Sequence, residues 1–131
     1  MYELQFRLDG LPPMGANTRR HWREVHRDNR SWLGWVAEAT YGKCPAHPLR
    51  LASVWLTRHS SVEPDWDNMV SSFKPILDAL ESLGIIENDK MSVIGQPFYA
   101  WKKAPPGRGF IEVAVRTPEP PQGLDCTERE G

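Results

Sequence analysis

The sequence predicts an α+β fold: a single domain with a mixed sheet of about four strands and two main helices. Three observations predict it. Residues 2–8 alternate apolar with polar side chains, the period of a strand with one buried face. The apolar residues Met69, Phe73, Ile76, Leu77, Leu80 and Leu83 recur at helical spacing, as do Trp22, Val25, Trp32, Val36 and Ala39. Residues 49–57 and 108–116 are short, apolar and rich in β-branched side chains, as strands are. With 131 residues, 40% of them apolar, the chain is long enough to bury a core of its own.

Taken in order, the first strand ends in the turn Asp9-Gly10-Leu11-Pro12-Pro13. Asn17 or Thr18 can cap a first helix reaching about Tyr41. Residues 43–48 form a loop, and residues 49–57 read as a central strand leading into Pro64-Asp65-Trp66-Asp67-Asn68. A second helix is expected over 72–83. Ser72 would cap it, Pro75 would stand in its first turn where a missing N–H costs little, and Gly84 would stop it. Residues 67–71 would be an irregular lead-in. Residues 91–103 and 108–116 are expected to form an antiparallel pair around Ala104-Pro105-Pro106-Gly107. The polar, Pro-containing end reads as disordered, giving a domain over 1–116 and a tail over 117–131.

Charge is divided unevenly. The net charge is −1, but without residues 117–131 the body holds 15 basic and 13 acidic residues, so nucleic acid is not excluded as a partner. Arg19, Arg20, Arg23, Arg27 and Arg30 crowd the first half of the first helix, with His21 and His26 among them. They read as a phosphate-contacting patch or as a solvated face partnered by Glu24 and Asp28. Lys102, Lys103 and Arg108 cluster at the expected hairpin tip, a second DNA contact or a soluble turn. No apolar run is long enough for a membrane span and no leader pattern is present, so a cytoplasmic protein is expected. Cys44 and Cys126 lie too far apart to suggest a structural disulfide, and Cys44 with His47 lacks the second pair of a zinc site. Trp22, Trp32 and Trp55 are expected in the core, while Trp66 stays open.

The chemistry concentrates after the central strand. On extended backbone, side chains at i and i+2 point to one side, so Asp65 and Asp67 can share a pocket. Two close carboxylates repel unless a proton or cation lies between them, and Mg²⁺ takes oxygen ligands of this kind. A surface turn is the ordinary alternative for a lone Asp-x-Asp. Lys74 would emerge near the helix start, close to the aspartates, where a cation can hold a phosphate. Asp89 follows the helix in a polar turn and either returns to the helix start or faces solvent.

Asp65-x-Asp67-Asn68, then Ser-Phe-Lys74-Pro-x-x-Asp78-Ala-Leu, then Gly84 and Asn88-Asp89, resembles the RusA family of Holliday junction resolvases. The Gly10-Leu-Pro-Pro turn and the arginine-rich segment behind it are similar too, and the likeness spans residues 4–116. Lys74 stands seven residues after Asp67, where the shorter form of the motif has four, and Asn88 stands where the family often has a second acid. The resemblance implies a Mg²⁺-dependent homodimeric endonuclease of bacterial or phage type that cuts four-way DNA junctions symmetrically. Asp65, Asp67 and Asp89 match its metal-binding acids and Lys74 its catalytic lysine. The rival expectations are a junction- or duplex-binding protein whose acids are structural, and a metal nuclease acting on flaps or RNA.

Overall fold

The computed structural model describes residues 2–10 and 22–117, with side chains on the second stretch from Arg30 onward. It is an α+β domain built on one four-stranded mixed sheet, as the sequence predicts. The elements are β1 (Glu3–Leu8), α1 (Trp22–Ala39), β2 (Ser53–Ser60), α2 (Trp66–Ser72), α3 (Lys74–Ser82), α4 (Met91–Ile94), β3 (Phe98–Lys103) and β4 (Phe110–Arg116). The strand order is β1-β4-β2-β3, with β4 antiparallel to both its neighbours and β3 parallel to β2. The cap expected at Asn17 or Thr18 and the tail beyond Thr117 lie outside the described residues. Thr117 itself is tied to the sheet, its N–H donating to the Tyr2 carbonyl at 3.1 Å.

The core lies between one sheet face and the helices. Leu4, Phe6 and Leu8 stand opposite Val115, Val113 and Ile111 across the β1–β4 register, and Val54 and Leu56 stand opposite Val115 and Val113 from the other side. All are buried, and Trp32, Val36, Phe73, Ile76, Leu77 and Leu80 from the helices join the same cluster.

Four expectations are corrected. First, residues 91–103 and 108–116 do not pair with each other. Residues 91–94 form the short helix α4, β3 runs parallel beside β2, and β4 inserts between β1 and β2. β4 buries Ile111 and Val115 completely, as β2 does Val54 and Leu56, and a central place buries them better than the edge of a hairpin would. Lys102 and Lys103 therefore end an edge strand, opposite His59 and Ser60, and are not a hairpin tip.

Second, the central strand runs from Ser53 to Ser60, not from Leu49 to Thr57. Leu49 makes an isolated parallel bridge to Ile86, and the Ala52 N–H is taken by the Val93 carbonyl, so the chain joins the sheet only afterwards. Third, Trp55 is not a core residue. It stands on the sheet face away from the helices, stacked on Phe98 with centroids 4.9 Å apart.

Fourth, the segment after Asp65 is two regular helices meeting at Phe73. Ser72 cannot cap the second one, because its buried hydroxyl donates to the Met69 carbonyl at 2.7 Å. Pro75 cannot sit inside a continuous helix without opposing the Ser71 carbonyl, so the chain breaks just before it. Phe73 ends α2 and precedes α3, and its carbonyl accepts the N–H groups of Ile76 and Leu77 at 3.0 and 3.1 Å. Its ring is fully buried, which fixes the angle between the helices.

Phe73→Ala should therefore cost about 3–5 kcal/mol of stability, measured by urea unfolding, while Tyr41→Ala, at an 88% exposed position, should change it by only about 0.5 kcal/mol. Equal losses at the two positions would contradict this account of the joint.

Candidate functional site

β2 delivers the chain to the mouth of α2. Asp65 is the extended residue before the helix (φ −67°, ψ 148°), and its carbonyl accepts the Met69 N–H at 2.9 Å. Asp67 is already in the first turn. The two acids are thus not successive same-side residues of an extended segment, as their spacing suggested, but flank Trp66 at a helix start. Both are exposed, and neither carboxylate makes a hydrogen bond or ion pair among the described residues.

Lys74 opens α3. Its ammonium donates to the Asp89 carboxylate, and Asp78, one turn further on, lies 3.1 Å from the same nitrogen. Asp89 does return to the helix start, and the structure supplies the reason that spacing could not. After α3 the chain turns at Gly84, whose φ of +76° strains any side chain-bearing residue. Ile85 and Ile86 then bury completely beside Leu49, whose N–H donates to the Ile85 carbonyl at 3.0 Å and whose carbonyl accepts the Glu87 N–H at 2.9 Å. The Asn88 side-chain oxygen accepts the Lys90 N–H at 2.9 Å, closing the turn that presents Asp89.

The ion pair shifts both partners. The hydrogen bond to Asp89 holds the Lys74 ammonium above its ordinary pKa, with burial opposing and Asp78 adding. The hydrogen bond from Lys74 holds the Asp89 carboxyl below its ordinary value, with burial opposing. The Asp89 share of stability is complete above the unfolded carboxylate range and is lost as pH falls through the depressed folded value. The Lys74 share is present below the ordinary lysine range and is lost as pH rises through the raised folded value.

Tyr99 on β3, which sequence reasoning missed, ties these groups together. Its ring meets the edge of Trp66 at 5.8 Å and stacks on Phe73, also at 5.8 Å. Burial raises its phenol pKa, the Lys74 charge lowers it and the Asp89 charge raises it again, so both charges reach the ring. A pattern signal existed: Tyr99 and Trp101 alternate with Ala100 and Lys102, which places them on the inner face once β3 is a strand. Trp66 remains 56% exposed between the two acids.

The other sequence-predicted residues lie apart from this constellation or outside the described residues. Arg19 and Arg20 fall outside them. Arg23 and Arg27 lie on α1, about two turns and one turn before the exposed Arg30. Lys102 and Lys103 are exposed at the end of β3, on opposite sheet faces. His59 is engaged by Glu112 at 2.6 Å, and Cys44 is an exposed free thiol beyond the end of α1. Among the described residues no helix is long and apolar enough to cross a membrane.

The donor chemistry of Asp65, Asp67 and Asp89, carboxylates without thiol or imidazole, fits a hard divalent cation. Among the described residues, however, no three His, Cys, Asp or Glu side chains converge on one point, and Asp89 is turned toward Lys74. The chain matches no protein-family model, and a search of curated proteins finds no relative.

Removing the ammonium tests the pair directly. In metal-free buffer Lys74→Met should move the Asp89 titration upward toward an ordinary aspartate, read by carboxyl carbon NMR. An Asp89 that titrates as in the unsubstituted protein would contradict the pairing.

Proposed function

We propose that this protein is a Mg²⁺-dependent structure-selective endodeoxyribonuclease of the RusA type. It would resolve four-way DNA junctions by paired symmetric cuts, in recombination and repair. One observation carries the reading. The ring of Tyr99 gathers Trp66 with its flanking acids, and Phe73 with its neighbour Lys74, while Lys74 is joined to Asp89 fifteen residues later. The segments that carry the residues named by the RusA resemblance are thereby joined through one side chain. A solvated turn has no need to recruit a distant aspartate to a helix-opening lysine.

In this reading Asp65, Asp67 and Asp89 would hold Mg²⁺. The bound ion would supply an activated water and charge stabilisation at the attacking and leaving oxygens. Lys74, whose exposed ammonium is shared between Asp89 and Asp78 and has a third N–H to give, would neutralise charge on the scissile phosphate. A cation held by Asp89 would compete with Lys74 for that carboxylate. The edge contact between Trp66 and Tyr99 braces the helix mouth. The basic residues of α1 and the segment before it, with Lys102 and Lys103, would supply backbone contacts to DNA. The protein would act as a homodimer, since resolving a junction takes two cuts, in a reducing bacterial or phage-infected cytoplasm where Cys44 stays free.

A second reading has an observation of its own. Acids at the residue before a helix and in its first turn are what helix starts favour, and Asp89 already has a cationic partner. On that reading the protein binds junctions or duplex DNA without cutting.

The separating experiment is cleavage of a labelled synthetic four-way junction in Mg²⁺ or EDTA. The expected result is paired cuts that need Mg²⁺, with Asp67→Asn reducing the rate by about 100-fold or more while junction binding is kept. Tight binding without cuts in any divalent metal would leave the binding protein. Preferred cutting of flaps or RNA would move the activity to another substrate class.

A further inference from the structure

The described helices cover one face of the sheet and leave the other open. The open face carries Glu3, Gln5 and Arg7 from β1 and the residues that register with them on β4, β2 and β3, and none of these is buried. An antiparallel sheet face in water ordinarily alternates to polar residues. This one has an apolar centre instead. The middle row runs Gln5, Ala114, Trp55, Phe98 across all four strands. Trp55 lies nearly parallel to Phe98 at 12°, and Phe98 is 54% exposed.

Charge is arranged symmetrically about that row. On one side Glu3 stands beside Arg116, and on the other Arg7 stands beside Glu112, so the sign on β1 and on β4 reverses across the middle, while the flanking positions of β2 and β3 are uncharged. The flanking rows are two residues away along each strand, about 7 Å. We propose that a second copy of this chain packs on this face, with a twofold axis along the middle row. That operation lays each strand over its own copy and exchanges the flanking rows. Glu3 then faces Arg7 of the partner subunit, Arg116 faces Glu112 of the partner subunit, and the apolar centre meets itself. An axis along either charged row would instead set like charge on like. The two sheets would lie aligned about 10 Å apart, the ordinary geometry of a two-sheet sandwich.

A nucleic-acid occupant suits the face less well. Arg116 is bonded to Glu3 at 3.0 Å, Arg7 to Asp9 at 2.7 Å, and His59 meets Glu112 at 2.6 Å, so these cations already have acids beside them. A phosphate-binding face needs unneutralised positive charge. Charges paired within the face, around an aromatic centre, match the composition of an isologous protein interface.

The test is a charge exchange in the full chain, read by sedimentation equilibrium, with far-ultraviolet circular dichroism checking that each variant folds. The unsubstituted protein should be a dimer. Glu3→Arg places two arginines opposite each other and Arg7→Glu two glutamates. Each variant alone should dimerise about tenfold or more less tightly. Mixed in equal amounts they should recover association as a heterodimer, because both contacts are then Arg opposite Glu. Damage within one chain would not be repaired by mixing, so the recovery is specific to the interface. A monomeric unsubstituted protein, variants that associate as well as the parent, or a mixture that stays monomeric would each overturn the proposal. The inference gives the homodimer of the proposed function its surface and rests on that reading to this extent, while a readout of association and not cleavage keeps its failure distinguishable from failure of the nuclease activity.

Discussion

A buried phenylalanine and a proline two residues later set the geometry on which the candidate site depends. Pro75 denies the chain a continuous helix from Asp65 onward, and the fully buried Phe73 fixes where the break falls. The consequence is two helix starts where one helix would have had a single start. Asp65 and Asp67 belong to the first and Lys74 to the second. A straight helix would have carried Lys74 about two turns along the axis from Asp67. Broken at Phe73, it presents Lys74 at a new helix mouth that the returning chain can reach.

That return depends on burial outside the site. Ile85 and Ile86 are anchored beside Leu49, just ahead of β2, and the short polar turn after them carries Asp89 to Lys74. β3 then enters parallel to β2 and brings Tyr99 against Phe73 and Trp66. Sheet order, helix break and ion pair are thus linked, and a change in any of them would move the acids relative to the lysine. The ion pair is modest in itself, since Lys74 is 58% exposed and solvent screens it. Its significance is positional: it marks where a phosphate or a cation would have to compete.

Much of this was legible in the sequence, for identifiable reasons. The alternation of residues 2–8 gave β1 because one of its faces is fully buried, and the helical spacing of Met69 to Leu83 marked the side that packs on the core. The acids and the lysine were legible as residue types in a known order. Sheet order was not, because the pairing of β4 with β1 and β2 joins residues far apart in the chain and local pattern carries no trace of it. Proximity along the chain suggests a hairpin at 104–107, and the place of β4 between β1 and β2, which buries Ile111, Val113 and Val115, overrides it. Trp55 was misplaced for a related reason: in a strand buried on one face only, its position facing away from the core is set by register and not by its hydrophobicity. Asp89 could not be placed because its position depends on the contact between Ile86 and Leu49.

The central claim is that Asp65, Asp67 and Asp89 act as one cation site beside Lys74, and paramagnetic titration with Mn²⁺ as a probe for Mg²⁺ tests it most directly. Amide NMR signals of residues 65–67 and 88–90 should broaden together and saturably, excess Mg²⁺ should reverse the effect, and Asp67→Asn should abolish it at both segments. Broadening confined to other acids, or at one segment without the other, would contradict the claim.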